Sequence, residues 1–201
     1  MRIIPLIFCV FIAALVTHAQ GTLEKIFYNL PQQYSLFEDD DKKKQEVVDM
    51  KKNAADGYYD GSFIDERNGY LRWIGYQCAY ELCYWKNYIT SSGDSAKLVA
   101  VIQGCMNKPV FLVEKDGQFT PISFNVFDTF DASHFFKEGT SVKTMKPYLN
   151  NFSFALPWKG RNIVAHYGGN YGERDGEELL KGDKIDFVWN NGVFEMGEPY
   201  F

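Results

Sequence analysis

The apolar residues of this chain keep two different rhythms. Between residues 20 and 37, Leu23, Ile26, Phe27 and Leu30 recur three and four apart, the period of one helix face, and Pro31 ends the run. The next stretch, EDDDKKKQEVVDMKKNAADG, puts acids first and lysines after, which complements a helix dipole, and Gly57 supplies a stop. This predicts a helix from about Asp40 to Ala54, with the charge run as its solvated face. After Gly57 the rhythm shortens to two. GYYDGSFI and GYLRWIG flank DERN as a hairpin, and AKLVAVIQG, KPVFLVEK, GQFTPISF, NFSFALPW, RNIVAHY, DKIDFVW and VFEMG read as strands. Residues 128–150 read as a long irregular connection with one helical turn, and GGNYGERDGEELLKGD as a Gly-rich acidic loop.

One segment, YQCAYELCYWKNYI, fits either period, because Tyr76, Tyr80, Tyr84 and Tyr88 share a face in a strand and nearly so in a helix. An internal correspondence decides it. Aligning Gly117 with Gly192 matches Val113 to Val188, Asp116 to Asn191 and Phe119 to Phe194, and brings Trp85-Lys86 close to Trp158-Lys159. Pro157 precedes Trp158 and opposes a helix interior, so the matching ELCYWKN is a strand. Asp116-Gly117 and Asn191-Gly192 suit two-residue hairpin loops, whose central residues both need positive φ. That register sets Trp189 opposite Phe194 in the close cross-strand pair, and Glu114 opposite Phe119.

The predicted fold class is α+β, mainly β. A short helical N-terminal segment, 20–55, precedes an antiparallel β body, 56–201, which is sandwich-like or an open barrel. The body has possible repeat units at about 76–127 and 150–201. The stretches ELCYWKN…AKLVAV, LPWKGRNIVA and FVWNNGVFE resemble uncharacterised secreted proteins of Bacteroidetes-type bacteria over about residues 56–201. The resemblance implies bacterial export and a β-rich body ending in a W-x-G-x-F-like hairpin, and no known activity. The extra Asn in Trp189-Asn190-Asn191-Gly192 departs from that pattern.

The start of the chain points to export. Arg2, an apolar run from Ile3 to Val16 and Thr17-His18-Ala19 form a signal peptide over residues 1–19, with an apolar centre too short to span a bilayer. Cleavage near Ala19 leaves 182 residues, that is 201 less 19, and takes the net charge from −5 to −6 with the loss of Arg2. The expected protein is periplasmic or extracellular, without membrane insertion. Its acidic balance argues against nucleic acid as a partner. Three cysteines then remain, Cys78, Cys83 and Cys105. A hairpin centred on Gly93 sets Cys83 opposite Gln103 and diagonal to Cys105, so Cys83–Cys105 is the favoured bridge, with no bridge at all as the alternative.

No motif specifies catalysis, a metal or a cofactor. His134 (beside Asp131 and Ser133) and His166 stand in for a general base, and Glu81, Asp128, Asp131 and Glu195 for paired carboxylates. Ordinary structural or surface roles explain each of them better. Asn170, Glu173, Asp175 and Glu177 offer calcium its preferred oxygen ligands but lack the spacing of a known calcium loop. Aromatics make up 17% of the chain, and the row Tyr76, Tyr80, Tyr84 and Tyr88 presents four hydroxyls along one strand face, suiting a half-wet surface. Packing between sheets accounts for the same row. The expected function is non-catalytic binding of a glycan, peptide or protein partner through that face. A periplasmic hydrolase and a structural or inhibitory module are the alternatives.

Overall fold

The computed structural model describes residues 21–75, 79–104, 108–168 and 177–201. The segment expected to be a signal peptide, 1–19, and Tyr76, Cys78, Cys105, Asn170, Glu173 and Asp175 lie outside these residues. Helix α1, Thr22–Asn29, begins at Gly21, which has no side chain to cap it. The cap comes from elsewhere: the amides of Leu23 and Glu24 donate to the Glu66 carboxylate at 3.0 and 2.8 Å. An anion is stabilised at that end of a helix, where amides lack partners and the dipole is positive. Helix α2, Asp40–Ala55, is capped by Asp39, whose carboxylate accepts from the amides of Asp41 and Lys42, and Gly57 closes it at φ 73°.

Ten strands follow the predicted order. Phe63–Asp65 (β1), Tyr70–Ile74 (β2), Ala79–Ile89 (β3), Ser95–Gln103 (β4), Val110–Lys115 (β5) and Gln118–Ile122 (β6) form one antiparallel sheet. Phe152–Ala155 (β7), Ile163–Tyr167 (β8), Lys184–Asn190 (β9) and Val193–Met196 (β10) form a second. In both sheets every strand lies beside its neighbour in sequence. The turns behave as their sequences predict. Asp116 and Gly117 take φ of 53° and 80°, Asn191 and Gly192 of 48° and 114°, and Trp189 faces Phe194 with ring centroids 4.9 Å apart. Trp85 lies within β3, however, and Trp158 in the connection after β7, so the two tryptophans do not occupy matching strand positions.

Three layers result. Helices α1 and α2 cover one face of the six-stranded sheet, packing Leu23, Phe27, Val47 and Met50 onto Leu71, Tyr80, Leu82 and Val99. The other face meets the four-stranded sheet through Trp85, Leu98, Phe111, Phe154, Ile163 and Phe187. The large sheet is thus buried on both sides, which is why Leu98, Val99, Ala100, Val101 and Ile102 can all be apolar in succession. Between the sheets runs the connection from β6 to β7, with two helical turns, α3 (Asn125–Asp128) and α4 (Val142–Met145). Its Phe127 stacks on Phe187 at 4.5 Å between centroids, and Phe130, Phe135 and Phe136 are buried beside it. The architecture is a sandwich with an added helix layer, and the barrel alternative does not hold.

Two expectations about β3 are corrected. The turn into β4 is a five-residue loop, Thr90–Asp94, with the Thr90 amide donating to the Asp94 carbonyl at 2.9 Å. This loop and a bulge further along β3 together place Cys83 opposite Ala100, three residues from the predicted partner Gln103. The Cys83–Cys105 bridge accordingly does not form: Cys83 is a free, buried thiol whose pKa burial pushes up, so it packs as a small apolar group. Second, the tyrosine row is not one face. A bulge between Trp85 and Tyr88, with Asn87 at φ 62°, inserts one residue and reverses the alternation.

Candidate ligand-binding site

The described tyrosines therefore separate into three environments. Tyr80 is fully buried under the helices, its hydroxyl donating to the Tyr34 carbonyl at 3.1 Å, and burial pushes its pKa up. Tyr84, one turn of the alternation later, is half-buried at the margin of the same layer. Tyr88, beyond the bulge, emerges on the opposite face, where its ring lies 6.3 Å from that of Trp189.

The margin at Tyr84 is where β3 outruns its neighbour. Strand β2 starts at Tyr70, opposite Cys83, and the Tyr84 amide donates to the Gly69 carbonyl at 3.2 Å. From Trp85 onward no strand pairs with β3 on that side among the described residues. A cleft of about 350 Å³ wraps this open edge, a volume within the range of small-ligand sites. Buried Cys83 and Trp85 form its floor, and half-buried Tyr84 and Trp189 its walls. Trp85 and Trp189 lie 5.7 Å apart, centroid to centroid. The rim carries three exposed cations, Arg67, Lys86 and Arg161, from three separate elements.

The cleft joins both sheets, and three hydrogen bonds fix that junction. The segment after β7 gives its Leu156 amide to Glu81 at 2.9 Å and the Trp158 indole N–H to Asp65 at 2.9 Å. In return the Trp85 indole N–H donates to the Arg161 carbonyl at 3.1 Å. Each indole thus places its ring by spending its polar handle on the other sheet. Burial raises the Asp65 pKa, but bonds from Trp158, from the Asn68 side chain and from the Asn68 and Arg67 amides outweigh it and hold the carboxylate ionised. Glu81 stands inside the seam, and there burial prevails: its pKa is raised despite bonds from Leu156 and Tyr70 and the nearby Arg72 charge.

A second, more open hollow of about 550 Å³ adjoins the far end of β3. Tyr88, Thr90, Ser91, Gln118 and Thr120 give it hydroxyl and amide groups, and Asp94, Lys115 and Asp116 add charge of both signs. The Tyr88–Trp189 contact joins its aromatic side to the wall of the first cleft.

The other candidates do not converge. Glu195 accepts from Asn190 in the last hairpin, Asp131 caps a turn by accepting from the Ser133 amide, and the Asp128 backbone carbonyl accepts from Lys108. His134 stacks on Phe130, with centroids 5.2 Å apart. His166 sits on the second sheet opposite Ser153 and Lys184, and burial and the Lys184 charge lower its pKa. Glu177 starts a short turn of 3-10 helix, while its proposed calcium partners lie outside the described residues. Among the described residues no three His, Cys, Asp or Glu side chains group as metal ligands. No described helix is long and apolar enough to cross a membrane.

Sequence reasoning singled out Tyr84 and Tyr88, which line the first and the second hollow, but neither Trp189 nor the three rim cations. The only signal was local: Arg67 and Arg161 each lie within two residues of a glycine of positive φ, in Arg67-Asn68-Gly69 and Gly160-Arg161, as loop-borne binding groups often do. Comparison of the chain with protein-family models, curated proteins and solved structures gave no match.

Proposed function

We propose that this is an exported, non-catalytic binding protein that takes a saccharide in the cleft at the open edge of β3. One observation carries the reading: Tyr84, Trp85 and Trp189, drawn from two sheets, converge on one accessible hollow with hydrogen-bonding groups on its rim. Flat apolar rings beside polar donors match a sugar, whose ring carries a C–H face and a hydroxyl edge. A peptide adding as a further strand is less well served. The unpaired edge of β3 is interrupted by the bulge at Asn87 and guarded by Lys86, devices that discourage strand addition.

The test is an oligosaccharide array probed with the mature chain, followed by titration calorimetry on whatever is retained. Tyr84→Ala and Trp189→Ala are each expected to weaken binding at least about tenfold, a loss of about 1.4 kcal/mol. Tyr84 is only half-buried, so its variant should melt close to the parent temperature. Retention of no oligosaccharide, or full affinity in both variants, would overturn the proposal.

A further inference from the structure

We infer that the saccharide bound in this cleft is anionic, carrying a carboxylate or a sulfate ester on its ring. This rests on the binding function proposed above and specifies its ligand. Arg67, Lys86 and Arg161 line the rim, and among the described residues no Asp or Glu lines the cleft with them. The chain as a whole is acidic, at −5, so a local run of three cations without an acid goes against its composition. Elsewhere cations beside acids pair with them, as Lys97 does with Glu114 and Lys115 with Asp94. No such pair engages Arg67, Lys86 or Arg161 among the described residues.

The two acids nearest in sequence to the rim are already committed. Asp65 accepts from the Trp158 indole and from Asn68. Glu66 turns away to cap α1. Arg67 and Arg161 are thereby left for a ligand, and their planar forks bind carboxylate or sulfate oxygens in pairs. Lys86 sets its ammonium 6.0 Å from the centroid of the Tyr84 ring. Arg161 has its main chain fixed by the Trp85 indole, so its position is coupled to the aromatic floor beneath. A ligand that lays its ring on the aromatic lining of the cleft would present its charged substituent to this rim. The second hollow, with hydroxyl and amide groups, would receive the next residue of a longer chain.

The experiment titrates the mature protein with three probes of equal length: an oligogalacturonate, a sulfated oligosaccharide and a neutral counterpart. Expected is at least about tenfold tighter binding of one charged probe than of the neutral one. That preference should shrink when salt is raised from about 50 to 300 mM, because exposed charges are screened. The double variant Arg67→Gln/Arg161→Gln should lower affinity for the charged probe at least about tenfold more than for the neutral one, with the melting temperature unchanged. Which charged probe wins distinguishes carboxylate from sulfate. Equal affinity for all three probes, unaltered in the double variant, would overturn the anionic assignment while leaving the saccharide site intact. Binding of none of them, here and across the array, would overturn both.

Discussion

A Cβ on Gly69 would lie 2.8 Å from Cε1 of Tyr84, and the residue's φ of 67° falls in the left-handed region. Both facts forbid a side chain there, and together they show how the wall of the cleft is set: the Tyr84 ring lies against bare backbone. Gly69→Ala should cost about 1–2 kcal/mol from the backbone alone. It should also push the ring into the cleft, so urea unfolding and saccharide affinity are expected to fall together. His166 yields a second expectation at this scale. Burial, then the Lys184 charge, hold its pKa below the usual 6.5, against the opposing pull of Asp183 and Asp186. The unfolded chain therefore takes up this proton at higher pH than the folded one. Its contribution to stability is full above about 6.5 and is lost as pH falls through the folded value. In His166→Gln, denaturant midpoints between pH 7.5 and 5 should show a shallower decline than in the parent.

At the scale of elements, β3 shows both the reach and the limit of alternation. The internal correspondence with the segment around Pro157 identified it as a strand, and period two then put Tyr80 and Trp85 on opposite faces, as they are. It failed at the next step, because a bulge adds a residue without disturbing the apolar count. The trace left in sequence is Asn87, a residue type that tolerates the left-handed conformation it adopts here at φ 62°. Deleting Asn87 should restore regular pairing while leaving Tyr88 opposite Ala96, on the face of Trp85. Tyr88 should then keep its contact with Trp189, and a longer saccharide the gain in affinity that its second residue brings. Unshifted Trp189 fluorescence, and calorimetry with short and long probes, would show it. The β3–β4 register also escaped sequence reasoning. The five-residue loop moved the adjoining pairings by two, the bulge added a third beyond it, and the bridge expected from Cys83 went with that shift.

For the whole molecule, mainly-β architecture was legible because turn residues punctuate every strand and because α2 carries its own caps and charge order. The sandwich followed from apolar runs such as Leu98–Ile102, which need cover on both sides. The cleft was not legible. Its walls and rim come from residues 67–69, 83–86, 157–161 and 189, which only the docking of the two sheets brings together, and no spacing along the chain encodes that. The phenylalanines of the β6–β7 connection belong to the same problem. They were read as an irregular link, and they prove to be the filling between the layers.

The strand order bears on how the molecule assembles in time. Each strand pairs only with its predecessor and successor, so both sheets can form by successive short loop closures, which are fast. The slow event left is the meeting of two preformed meanders across the phenylalanine layer. The cleft straddles that seam and exists only once it has closed, so an occupant has nothing to hold in a half-assembled chain. Binding should therefore leave the rate of folding unchanged and slow the rate of unfolding, making the ligand a latch rather than a template.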